Sequence, residues 1–404
     1  MITFVDYQYK GIGGVAQLVV NITCELNKRG QQTKVYCSRN SYEYKRLLDN
    51  NGQFVFIDSE AVTLNQIIDF LAPDDVIVLT NINNTPLLER IKILNNRIIF
   101  YSVHPQVFFV YNKKMNWMCR QEEAVLELAD VLYSNNALYI MDGPNLKALT
   151  EKGWHHGEIS WLPVPFVNSL NKRKYNNDIS NRPLRLTYIG RGDWDNKIYP
   201  AIKVLEDLNQ ISTICELHVI TNEIDSFERL FSKYVSANKI KIVYKLNLYG
   251  EELDNYLLKN SDIHIAMGTS ALEGAKLGIP TILIDLSEKE FPPYYKYRWL
   301  YECEEYCLGG EIIDDVLPYC TGTSLKDKII EISTIEGWNQ IGEKCSIYAN
   351  DNHSIKIFVD TLLNAAQSTT MTAQMYCNTR FSKNMKYILP VLEKLSKIKK
   401  HIGF

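Results

Sequence analysis

Apolar positions along the chain follow two periods that take turns. Short runs rich in Val, Ile, Tyr and Phe alternate with stretches whose apolar residues recur every three or four positions. The runs predict strands, the stretches predict amphipathic helices, and their alternation predicts βα units with parallel sheets. Strands are expected in the first half at "ITFVDY", "TKVYC", "FVFID", "DVIVLTN", "RIIFYSV" and "DVLYSN". In the second half they are expected at "LRLTYIG", "CELHVIT", "KIKIVYK", "DIHIAM" and "PTILID". A helix opening near Gly14 sets Val15, Leu18, Val19, Ile22 and Leu26 on one face, and Gly30 stops it.

Between the halves runs "PVPFVNSLNKRKYNNDISNRP", rich in Asn, Lys and Pro and poor in periodicity, which reads as a linker. The expected fold class is α/β, with two doubly wound Rossmann-like domains. The first spans 1–168, the linker 169–182, the second domain 183–375, and a basic helical tail 376–404. Two such domains would form a cleft where the carboxyl ends of their strands face each other. Ligands bind in such crevices, and helix N-termini there carry partial positive charge.

Composition narrows the choice of partners. A chain of 404 residues exceeds one ordinary core, and 46% hydrophobic with 23% charged residues describes a globular protein. The formal charge of -3 offers no overall attraction to nucleic acid. The opening "MITFVDYQYK" leads into a strand with no secretory signal, and the longest apolar runs fall far short of a membrane span. Nine cysteines without a CxxC pair point to reduced thiols and a cytoplasmic location. Charge gathers only at the end, where seven Lys/Arg face one acid between Arg380 and Phe404. There Ile388, Leu392, Leu395, Ile398 and Ile402 align along one side of a helical pattern that Pro390 interrupts. Residues 383–404 therefore read either as a membrane-surface contact or as a helix packed on the protein with a solvated basic face.

Three segments carry candidate chemistry. "GIGGVAQL" (Gly11 to Leu18) follows the first strand, but Gln17 and Leu18 stand where a dinucleotide fingerprint needs its third Gly. The second strand, "TKVYCSRN", also ends without the acid that such a site requires. Gly13 and Gly14 instead suit a loop that lets a ligand approach a helix N-terminus. In "YIGRGDWDNK", Arg191 and Lys197 follow a strand ending at Gly190, and two cations there suit a diphosphate. The triplet Asp193-Trp194-Asp195 can chelate a divalent ion, or Asp195 can cap the next helix. In "GTSALEGAKLG", Ser270 and Glu273 fit an S-x-x-E capping box. The other reading has Gly268, Thr269 and Ser270 present N–H groups to a phosphate while Glu273 accepts the hydroxyls of a ribose.

Taken together these pieces resemble the retaining glycosyltransferases of family 4, which have the GT-B fold. The matching parts are "GGVAQLVVNITCELNKRG", Val103-His104, "ADVLYSNNALYIMDGPNLKAL", "YIGR…K" and "LEGAKLGIPTILID", in order over roughly residues 1 to 290. The resemblance implies that Gly13 and Gly14 face donor phosphates or acceptor, that His104 contacts the transferred sugar, and that Arg191 and Lys197 hold the diphosphate. Glu273 matches the second Glu of the family's E-x7-E and would hold the ribose. The first Glu of that pattern falls on Ile265, and the loop that carries it is shortened to "GTS".

The expected activity is transfer of a hexose from a nucleotide-diphosphate sugar to a cell-surface polysaccharide or its lipid-linked precursor. No metal and no cofactor are expected, since Arg191, Lys197 and a helix N-terminus would take a metal's place. Two other classes share the pattern. One is a non-hydrolysing nucleotide-sugar epimerase, which would release free epimer without an acceptor. The other is a non-catalytic nucleotide-sugar-binding partner, which would turn over no donor.

Overall fold

The computed structural model describes residues 1–5, 14–49, 54–58, 64–81, 85–105, 108, 121–168, 182–192, 195–211, 213–234, 240–313, 316–318 and 321–387. Gly11, Gly13, Asp193, Trp194, linker residues 169–181 and the tail beyond 387 lie outside them.

The first sheet is built from β1 (Ile2–Val5), β2 (Thr33–Cys37), β3 (Phe54–Asp58), β4 (Val76–Leu79), β5 (Arg97–Ser102) and β6 (Leu138–Ile140), in the order β3-β2-β1-β4-β5-β6. Every pairing in it is parallel. β1, β2 and β4 are buried along their whole length, as strands covered on both faces by helices must be. On one face the helix Gly14–Lys28 packs Leu18, Val19, Ile22 and Leu26 against Phe4, Val78 and Tyr101. On the other, the helix Gln121–Ser134 packs Ala124, Val125, Leu128 and Leu132 against Ile77, Leu79 and Phe100.

That second helix corrects one expectation. "DVLYSN" belongs to its last turns, and the strand is the following "LYI" of β6. The apolar positions from Ala124 to Leu132 keep a helical period up to the turn at Asn135 and Asn136, and this outweighs the β-prone look of Val131, Leu132 and Tyr133.

The second sheet repeats the order of the first. Its strands are β7 (Leu184–Ile189), β8 (Cys215–Thr221), β9 (Ile240–Leu246), β10 (Ile263–Ala266), β11 (Thr281–Leu283) and β12 (Arg298–Trp299), arranged β12-β11-β10-β7-β8-β9. Only the edge pair β11–β12 is antiparallel. In both sheets the winding direction reverses between two neighbouring strands, β1 and β4 in the first, β7 and β10 in the second. A doubly wound sheet receives ligands at this switch point, beyond the carboxyl ends of its strands.

The chain divides into two units, Met1–Val164 with Ile355–Phe404, and Pro165–Ser354. The second domain thus ends at Ser354, short of the expected residue 375. The helix Ile355–Ser368 buries Phe358, Val359 and Leu362 among the core residues of the Gly14–Lys28 face. Met371, Tyr376, Phe381 and Met385 are buried in the other core of the same sheet, and the Met371 carbonyl accepts from the Ile98 amide at 2.8 Å. The start of the tail is therefore docked on its own unit. Arg380 pairs with Glu123 and Glu127, and Lys386 pairs with Glu89. Among the described residues no helix is long and apolar enough to cross a membrane.

Candidate functional site

The second sheet's switch point is where the sequence places most of its candidates. β7 and β10 run level, with Tyr188 opposite Ile265. Arg191 follows β7 by two residues and Gly268 follows β10 by two, so the register of the sheet brings both loops to the same end.

The loop after β7 is pinned from beneath. The Tyr188 ring is buried, and its hydroxyl donates to the Lys197 carbonyl at 2.5 Å, drawing the start of the helix Asp195–Asn209 back over the strand. Gly190 lies over that ring, where a Cβ would come within 2.5 Å of Tyr188 carbon, so no larger residue fits without moving it. The Gly192 amide donates to the Asn222 side chain at 2.9 Å, and a Cβ on Gly192 would strike the Glu223 carbonyl. Between these fixed glycines Arg191 is exposed. Burial, with a smaller contribution from Arg191, pushes the Lys197 amine down from 10.5 to about 8. The Lys197 side chain has no hydrogen-bonding or ionic partner among the described residues. An amine under the influence of a second cation, with no carboxylate partner among the described residues, favours an anion that can reach it.

The turn after β10 is held just as firmly. Gly268 adopts φ 60 and ψ -147, a conformation closed to other residues, and its amide donates to Leu308. It is the N-cap of the helix Thr269–Ala275, which makes Ser270 the second helical residue. Of the two readings the capping box is not formed, because the glycine starts the helix two residues before the position a Ser cap would occupy. Among the described residues no side chain caps this helix. Thr269 is exposed and Ser270 half-buried. The Glu273 carboxylate instead pairs with Lys276, which also meets Asp254 at 2.8 Å.

Sequence reasoning missed the residue that ties β7 to the turn after β10. His264 in β10 is fully buried, with Nδ1 3.0 Å from the Thr187 hydroxyl of β7 and Nε2 2.8 Å from the Ser270 carbonyl. A carbonyl only accepts, so Nε2 carries the proton and Thr187 donates to Nδ1. Burial pushes this imidazole down to about 4, and Gly274 leaves room for the ring, since a Cβ there would meet it at 2.5 Å. One histidine inside an apolar strand, "DIHIAM", is the only signal the sequence gives for it.

The first unit holds the remaining candidates. Gly14 begins its helix with open space where a Cβ would stand. His104 is exposed two residues beyond β5. Burial raises the carboxyl of Asp142, a shift held back by hydrogen bonds from Asn145 and by the nearby His104. Asp142 caps the helix Gly143–Thr150 through the Asn145 amide at 3.1 Å, and Ser102 of β5 donates to Asn145 at 2.9 Å. The cap was legible as "MDGPN", an Asp before Gly-Pro with Asn three residues on.

One other feature does not fit the expected chemistry. A cavity of about 580 Å³ lies along the far end of the helix Asp195–Asn209, lined by Lys203, Glu206, Asp207 and Glu290 among others. Its three carboxylates are the wrong charge for a phosphate. No group of three or more His, Cys, Asp or Glu suited to a metal occurs among the described residues.

No protein-family model matches the chain, and no curated protein matches it by sequence. Solved structures do match it. Anabaena HepE in complex with UDP and glucose is 12% identical, covers 91% of this chain and 99% of its own, and superposes with a TM-score of 0.57. The lipopolysaccharide outer core galactosyltransferase WaaB is 12% identical over the same shares, with a TM-score of 0.54. The UDP-forming trehalose-phosphate synthase of Burkholderia xenovorans, in complex with glucose-6-phosphate, is 12% identical over the same shares, at 0.55. Two doubly wound sheets of this order, matched end to end by such neighbours, make the fold GT-B, a glycosyltransferase-type fold.

Proposed function

We propose that the chain is a glycosyltransferase that moves a hexose from a nucleotide-diphosphate sugar to a cell-surface polysaccharide or its lipid-linked precursor. The observation that carries this reading is the Lys197 amine beside Arg191, without an acidic partner among the described residues, at the switch point of the second sheet. In this reading the two cations stabilise the diphosphate as it departs with growing negative charge, which is the interaction that lowers the barrier. The amides of Gly268, Thr269 and Ser270 add donors to the phosphates, Gly190 lets the backbone approach, and Glu273 accepts the ribose hydroxyls. His104, with Gly13 and Gly14, serves the sugar and acceptor side. The transfer needs no metal, because fixed cations supply the charge. UDP in the HepE structure and the UDP-forming synthase support a uridine nucleotide; WaaB supports a glycan of the cell surface as acceptor.

The test is donor binding followed by turnover. Thermal shifts with UDP, GDP, ADP and CMP should single out one nucleotide, and its hexose donors should release that nucleotide once an acceptor glycan is added. No stabilisation by any nucleotide, together with no release from any donor, sinks the reading. Release of free epimer without an acceptor would assign the site to an epimerase.

A further inference from the structure

Resting on that reading of Glu273, we propose that Lys276 is the positioning residue for ribose recognition, and that the chain Asp254–Lys276–Glu273 sets this protein's preference for ribonucleotides over deoxyribonucleotides. The Lys276 ammonium lies 2.5 Å from Glu273 Oε2 and 2.8 Å from Asp254 Oδ1. Its side chain is only 9% exposed, against 30% for Glu273 and 15% for Asp254. The best-covered member is thus the cation, and the acid aimed outward is the one assigned to the ligand.

Two physical consequences follow. A free Glu side chain samples many rotamers and would have to be ordered by the ligand. Here one carboxylate oxygen is tied down beforehand, and the tie is anchored by Asp254 on a different helix, Gly250–Asn260. A lone carboxylate near a diphosphate would also repel it. The ammonium cancels that charge while leaving Oε1 to accept from a hydroxyl. Burial pushes the Lys276 amine down, but Glu273 foremost and then Asp254 overcome this and hold it above the ordinary lysine value, so it stays charged. His264 of β10 lies behind Gly274 as a neutral ring, and the helix Ile335–His353 approaches through Gly342 against the Gly278 carbonyl.

The experiment measures the affinity of UDP against 2′-deoxy-UDP by calorimetric titration in the full chain, replacing uridine by whichever base the thermal shifts select. The wild type should favour the ribonucleotide by roughly tenfold or more, the worth of a hydrogen bond to a charged group. Lys276→Met should bring the ratio to within about twofold, and Lys276→Arg, which keeps the charge but not the shape, should retain more of it than Lys276→Met. If Lys276→Met fails to fold, the double variant Lys276→Met/Asp254→Asn removes the carboxylate left stranded and reads the same ratio. A ratio that survives loss of Lys276 but collapses in Glu273→Gln overturns the positioning role while leaving Glu273 as the ribose ligand. A ratio that survives in Glu273→Gln instead overturns the ribose reading itself.

Discussion

The Thr187 hydroxyl donates to Nδ1 of His264 at 3.0 Å, fixing the imidazole as the neutral tautomer that holds the Ser270 carbonyl. Protonation of Nδ1 would set two donors against each other. The folded-state value is depressed to about 4 from 6.5, so the unfolded chain binds the extra proton between those values. Stability is therefore fully present above pH 6.5 and lost as pH falls toward 4, by on the order of 3 kcal/mol. Urea midpoints at pH 7 and pH 4.5 should differ more in the wild type than in His264→Gln. Equal pH dependence in the two proteins would remove His264 from this role.

Lys197 gives the opposite of an ordinary loss-of-function pattern. Its depressed value means that the charged amine costs stability at neutral pH, a cost relieved as pH rises from about 8 toward 10.5. Lys197→Met should therefore raise the melting temperature of the nucleotide-free protein while abolishing the rise produced by nucleotide. It should also lower kcat by on the order of 10²-fold. A variant that melts lower and still binds nucleotide would show that the amine is structural.

Gly190→Ala should be far more damaging than a loop substitution usually is. The added methyl meets the Tyr188 ring, whose hydroxyl holds the Lys197 carbonyl, so the cost is that of overpacking, about 1–3 kcal/mol. Nucleotide affinity should fall with it. In a double-mutant cycle with Tyr188→Ala, itself costly because the ring is fully buried, the penalty of Gly190→Ala should shrink while affinity stays low, as expected if the ring positions the loop. A single variant as stable as wild type would disprove the contact.

The tail separates two kinds of contact. Phe381 is fully buried in the first unit, and Phe381→Ala should cost about 3–5 kcal/mol. Arg380→Ala breaks only exposed pairs with Glu123 and Glu127 and should melt close to wild type. The proposed membrane contact then rests on the lysines beyond residue 387. Deleting 388–404 should abolish sedimentation with anionic liposomes, and unchanged sedimentation would reject it.

Most strand runs, the doubly wound α/β class and the loops after β7 and β10 were legible, because β-branched runs and glycine turns are local signals. The return of the last helices to the first unit was implied only by the family resemblance, and the residues of the helix Ile355–Ser368 do not themselves give its destination. An apolar face at Phe358, Val359 and Leu362 says that a sheet is covered, and nothing in it names which of two similar sheets. The capping alternative for Ser270 and Glu273 fails for a related reason: their spacing fits a cap, but the positive φ of Gly268 starts the helix earlier. Lys276 was passed over because a lysine in a helix ordinarily reads as solvated, and only tertiary structure brings Asp254 to it.

The return of residues 355–387 to the first unit also orders events on the ribosome. That unit's sheet leaves the exit tunnel complete in its strands but without the cover that Phe358, Leu362, Tyr376 and Phe381 supply. Residues 165–354 must be synthesised before that cover arrives, about 10 to 40 s at ordinary elongation rates. Throughout that interval the apolar positions that these residues cover on both faces stay exposed, while the second unit, contiguous in sequence, can fold as soon as it emerges. The later-born half is then the first to be finished, and the nascent first half is the part a chaperone would hold.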